Sequence, residues 1–100
     1  MTASRWWQRR KAELAPNTRL DYRWRLDHVL RHLAHDTTAE LDAYRVDTFR
    51  GELEAARLSP RSVNMILDLL AQILDDAVEY ELLTGNPARG KRRRAKVPKP

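Results

Sequence analysis

Apolar residues recur along this chain at three- and four-residue spacing, and no stretch alternates in the two-residue rhythm of a half-buried strand, so the pattern predicts helices. A first helix is expected over about Ser4 to Leu14, with Trp6 and Trp7 as its apolar content. "APNTRLDYRWRLDHVLRHLAH" opens a second, in which Pro16 suits a first helical position because the N–H it lacks has no intrahelical partner there. Tyr22, Leu26, Val29, Leu30 and Leu33 make its buried stripe. Leu20 and Trp24 lie on the other side, a second apolar strip expected to pack against Trp6 or Trp7 or to meet another protein surface. A third helix starts at Asp42, whose carboxylate can accept from the free N–H groups of the first turn, and turns Val46, Phe49 and Leu53 inward. "LSPRSVNMILDLLAQILDDAVEYELL" is the strongest helix, capped by Ser59, begun at Pro60 and lined on one side by Val63, Ile66, Leu67, Leu70, Ile73, Leu74 and Ala77. It is expected at the centre of the fold, stopped by Gly85 and Asn86-Pro87.

The periodicity lapses after Ala88. Residues 1–88 therefore read as one small all-α bundle of four helices, and residues 89–100, "RGKRRRAKVPKP", as a basic linker with the Pro-punctuated, apolar-poor composition of a segment without order of its own. A length of 100 residues suits one domain with a real core. Charge is segregated: residues 1–34 hold eight Lys/Arg and three Asp/Glu, residues 35–83 four and eleven, and residues 84–100 seven and none. Two basic ends around an acidic middle suit a polyanion met by part of the surface. The chain has no cysteine, which excludes disulfides and thiolate metal sites, and it shows neither a signal peptide nor an apolar run long enough for a bilayer. The expectation is a soluble cytoplasmic protein with no membrane partner.

"LAPNT" at Leu14–Thr18 and "LSPRS" at Leu58–Ser62 open the second and fourth helices alike, presenting free N–H groups, the positive end of the helix dipole and small polar side chains, a combination that suits phosphate. On a helical wheel the outer face of the fourth helix carries Arg61, Asn64 and Met65, then Asp68, Gln72, Asp75, Asp76 and Glu79. Its acidic far half repels DNA, so contact is confined to the first two turns, where Arg61, Ser62 and Asn64 can reach phosphates or base edges. The acids beyond read as a solvated face. His28, His32 and His35 share one side of the second helix, but with Asp36 as the sole further donor they are not read as a metal site. No nucleophile, base and carboxylate set and no phosphate loop is present, so no catalytic residue and no cofactor are expected.

From about Trp6 to Pro87 the chain resembles the core-binding domain, also called the SAM-like N-terminal domain, of the tyrosine recombinases known as phage integrases. The resemblance runs through Thr18, Tyr22 and Leu26 in a T-x-x-x-Y-x-x-x-L pattern, "LDAYRVDTF" from Leu41, "LSPRSVN" from Leu58, and the Leu/Ile-rich helix that ends in "ILDDAVEYELLTGNPA". Ala15 stands where that family carries a small polar cap. The resemblance implies an all-helical bundle forming one jaw of a clamp around double-stranded DNA. The catalytic domain of the same parent chain would be the other jaw, and further recombinase protomers would share the DNA. It implies that Asn17, Arg19 and Arg23 of the second helix and Arg61, Ser62 and Asn64 of the fourth lie at or near the duplex. It further implies that Arg89, Lys91, Arg92, Arg93, Arg94 and Lys96 contact phosphates as the linker crosses the backbone. The catalytic Arg, Lys, His and Tyr of such enzymes belong to the other domain, so this chain is expected to bind DNA without cleaving it. The alternatives are a protein-interaction bundle with an incidental basic tail and a different helical nucleic-acid-binding regulator.

Overall fold

The computed structural model describes residues 3–89 together with Ala95. Helix α1 (Ala3–Arg10) passes into a 3-10 turn at Lys11–Glu13, α2 spans Pro16–Leu33, a second 3-10 turn covers Thr38–Glu40, and α3 (Ala43–Ala55) and α4 (Pro60–Glu79) complete an all-α bundle. No strand occurs among the described residues, and no helix among them is long and apolar enough to cross a membrane.

The helix starts follow from local chemistry. A residue before proline is pushed out of the helical region. Ala15 (φ −65°, ψ 153°) and Ser59 (φ −63°, ψ 154°) are accordingly extended, which separates α2 and α4 from what precedes them. Ser59 Oγ accepts from the Ser62 N–H at 3.1 Å, and Asp42 Oδ1 accepts from the Arg45 N–H at 2.8 Å. Ala15 has nothing to offer, and α2 begins without a side-chain cap. The first helix is shorter than expected because its last turn tightens to 3-10 before the extended Leu14.

The end of the last helix differs from the sequence reading. α4 stops at Glu79, several residues before Gly85, because Glu81 takes a left-handed conformation (φ 61°). The Glu81 N–H then bonds the Val78 carbonyl at 3.0 Å and the Leu82 N–H the Ala77 carbonyl at 2.8 Å, closing a Schellman motif. Arg57 (φ 64°) ends α3 in the same way, with the Arg57 and Leu58 N–H groups on the carbonyls of Glu54 and Leu53. A left-handed side-chain-bearing residue costs about 1–2 kcal/mol, partly offset on substitution by the greater chain entropy of glycine. Glu81→Gly and Arg57→Gly are each expected to stabilise the fold by about 0.5–1 kcal/mol, read as a rise in Tm by circular dichroism; a fall would contradict this account of the helix ends.

α4 is the central helix, packed on α1, α2 and α3. Leu69 and Ala71 are buried along with the expected stripe, so α4 is covered on nearly every side through most of its length. Leu26, Val29 and Leu33 of α2, Val46, Phe49 and Leu53 of α3, and Trp6 and Trp7 of α1 close the core around it, with Leu41 from the loop before α3. Trp24 does not stack on α1. Its ring meets His28 edge-on, with centroids 4.8 Å apart, and Leu20 stands 73% exposed. The tryptophans of α1 are spent on the core, which leaves this strip of α2 open. Ala88 and Ala95 belong to the buried core, so packing continues past the expected domain limit at residue 88.

Candidate nucleic-acid interface

The two helix starts singled out in the sequence both lie at the surface. Asn17 and Arg19 share the first turns of α2 and are exposed. The uncapped start of α2 leaves its first N–H groups without a side-chain acceptor, while Arg19 Nε donates to the Leu14 carbonyl at 3.1 Å, which steadies the guanidinium without neutralising it. Arg23, one turn on, is exposed and paired to Asp27 at 3.1 Å. At the start of α4, Arg61 is exposed and Ser62 half-buried. The Ser62 hydroxyl receives a hydrogen bond from Ser59 Oγ at 3.1 Å, so part of its polar capacity goes into the cap.

Asn64 departs from its expected position on an outer face. It is 6% exposed, with Nδ2 donating to the Ala95 carbonyl at 3.0 Å and Oδ1 accepting from the Ala95 N–H at 2.8 Å. Both ends of its amide are engaged by the Ala95 backbone, and the side chain is nearly withdrawn from solvent. Arg89, expected on phosphate, binds the Asp75 carboxylate, and reaching a phosphate means exchanging that partner. Lys91, Arg92, Arg93, Arg94 and Lys96 lie outside the described residues.

The acidic far half of α4 is exposed at Asp75 and Glu79, as expected, but Asp75 and Asp76 also hold partners within the chain. Asp75 receives the Arg89 guanidinium and, at 2.6 Å, Asn86 Nδ2, which also donates to the Ala71 carbonyl at 2.7 Å. Asn86 Oδ1 accepts from the Ala88 N–H at 2.9 Å, so this one side chain folds the segment after α4 back onto the helix. The hydrogen bond from Arg89 holds the Asp75 carboxyl below its ordinary pKa and raises that of Arg89. Asp76 binds Arg9 of α1, whose guanidinium also donates to Tyr80 Oη at 2.6 Å and lies over the Tyr80 ring; the Asp76 hydrogen bond raises the Arg9 pKa. These carboxylates dock α1 and the chain after α4. In sequence such pairs, sixty-seven and fourteen positions apart, leave no local signal.

The histidines of α2 are individually occupied. His28 sits against Trp24; burial, and then the nearby Arg31 and His32, push its pKa below the ordinary value. His32 Nδ1 is 3.1 Å from Glu52 Oε2. Asp36, the further donor weighed for a metal, takes Arg45 Nε at 2.8 Å, while Arg45 Nη2 donates to the His32 carbonyl at 2.9 Å. Burial opposes the Arg45 charge, but Asp36 and Glu52 outweigh it and its pKa is raised. The cluster ties the end of α2 to α3, and among the described residues no group of three His, Cys, Asp or Glu is placed to hold a metal ion. A cleft of about 300 Å³ between α1 and the end of α4 is lined by Arg5, Arg9, Asp76, Tyr80 and Leu82; three of these side chains already answer one another.

No family model matches this chain, and no curated protein or solved structure matches it at a significant level.

Proposed function

We propose that this chain is a duplex-DNA-binding domain of the core-binding type found in phage-integrase tyrosine recombinases, holding recombination-site DNA for a catalytic domain in the same parent chain. The observation that carries the reading is electrostatic. Asp75 and Asp76, two of the four carboxylates of α4 that would repel DNA, are paired by Arg89 and Arg9. Arg19 and Arg61, at the starts of α2 and α4, have no carboxylate partner among the described residues. Cations at helix starts, beside outward N–H groups, suit phosphate oxygens. The all-α order with α4 at its centre agrees with the architecture that the motifs imply. On this reading the domain binds and positions DNA, and bond breaking belongs to the other domain.

One feature favours a second reading, an interaction module for another protein: Leu20 and Trp24 form an apolar strip, 73% and 39% exposed. The two part on where binding resides. With Lys91, Arg92, Arg93, Arg94 and Lys96 all replaced by Gln, duplex binding is expected to weaken, with a salt slope shallower by about 0.9 for each phosphate no longer neutralised, but to persist through α2 and α4. Complete loss in a gel-shift or anisotropy titration, with helicity intact, would make the tail the sole binder and favour the second reading.

A further inference from the structure

Arg57 follows α3 in a backbone conformation that a side chain opposes: its φ is 64°, in the left-handed region that glycine takes freely. The turn around it is fixed on both sides. The Arg57 and Leu58 N–H groups bond the Glu54 and Leu53 carbonyls at 3.0 and 3.4 Å, Leu58 packs against the core, and Ser59 caps α4. Nothing in this packing calls for an arginine. Arg57 is exposed, and its side chain makes no hydrogen bond or ion pair among the described residues. The carboxylates in the last turns of α3 are engaged elsewhere: Glu54 faces Arg50 at 3.5 Å, and Glu52 takes His32 at 3.1 Å and Arg45 at 3.5 Å. Arginines that hold this bundle together, such as Arg9, Arg45 and Arg89, each sit on a carboxylate. Arg57 and Arg61 do not. Four positions apart, their Cα atoms are separated by at most about 14 Å, so two uncompensated guanidinium groups stand on one fixed corner between α3 and α4.

We propose that Arg57 is a further DNA-contacting residue, a phosphate-binding cation that acts with Arg61 on one short run of the duplex backbone. This rests on the DNA-binding reading and deepens it, extending the contact from α4 onto the turn before it. A guanidinium offers phosphate oxygens a planar fork of donors. With the turn hydrogen-bonded and Leu58 packed beneath it, the backbone that carries Arg57 needs no ordering when DNA arrives. Glu81 is the internal comparison: it holds the same conformation (φ 61°) after α4 and carries the opposite charge.

Substitution at position 57 separates charge from backbone, because glycine relieves the conformation while removing the cation. In the full chain, Arg57→Gly is expected to raise Tm and yet bind a short duplex about fivefold more weakly at roughly 50 mM salt, with a salt slope shallower by about 0.9. Arg57→Asn, a residue that also tolerates the left-handed region, is expected to show the same loss. Arg57→Lys keeps the charge and is expected to keep the native slope and most of the affinity. Glu81→Gly makes the same backbone change without taking a cation away, and is expected to lose no affinity. Native affinity and slope in both Arg57→Gly and Arg57→Asn would overturn the assignment. So would a slope in Arg57→Lys as shallow as in Arg57→Gly, or an equal loss of affinity in Glu81→Gly, since either traces the effect to the turn and not to the charge. A native chain that binds no duplex at the lower salt would overturn the DNA-binding reading itself, and this role with it.

Discussion

Replacing Arg19 and Arg61 together by glutamate is expected to weaken duplex binding at least tenfold at low salt and to flatten the salt dependence, since each phosphate left without its cation takes about 0.9 from the slope. Both side chains are exposed, and the Arg61 side chain makes no hydrogen bond or ion pair among the described residues, so the substitution takes away little that holds the fold. Negative charge near a helix N-terminus is favourable by about 0.3–1 kcal/mol, so the new carboxylates leave α2 and α4 as stable as before or slightly more so. Pro60 and the Ser59 cap still start α4. Weakened binding with undiminished helicity therefore assigns the helix starts to DNA. Unchanged affinity would assign the contact to another face.

The largest effect on stability is expected from Phe49→Ala. Phe49 is fully buried on α3, in the core cluster around α4, with the His32 ring 5.5 Å away between centroids. Truncating a buried phenylalanine costs about 3–5 kcal/mol, from lost transfer free energy and from the cavity left behind. A domain of this size has about 5–15 kcal/mol of stability in all, so the variant retains little margin. At about 4–8 °C per kcal/mol, Tm is expected to fall by at least about 12 °C, measured by the ellipticity at 222 nm. The Arg45, Asp36, Glu52 and His32 cluster joins the same two helices and loses its backing when the ring goes. A fall of only a few degrees would mean that α3 packs elsewhere.

Legibility in the sequence followed the range of the interaction. Ser59 with Pro60, and Asp42 ahead of Val46, Phe49 and Leu53, act within a few residues, and these helix starts and inner faces stand where the pattern puts them. The end of α4 did not, because glycine and proline are the readable stop signals and Glu81 holds the left-handed position without being either. The helical wheel divided α4 into an inner and an outer face as though one side met water. α1, α2 and α3, with Asn86, Arg89 and Ala95, pack on it instead, and Asn64, Leu69 and Ala71 are buried. The pairs Arg9 with Asp76 and Arg89 with Asp75, and the failure of Trp24 to meet α1, depend on how separate segments come together. Of the candidate interface, Asn17, Arg19, Arg23 and Arg61 are exposed as the pattern suggested. Asn64 is committed to the Ala95 backbone and Arg89 to Asp75, partners that only the folded chain reveals.

The central claim is that the surface of this bundle binds duplex DNA chiefly through its phosphates. Fluorescence anisotropy of a labelled duplex titrated with the full chain, at roughly 50 and then 200 mM salt, tests it most directly. The expected Kd is micromolar or weaker, in the range of nonspecific binding, with affinity falling at least about tenfold between the two conditions. Binding that does not change with salt, or no binding at the lower salt, would contradict the account.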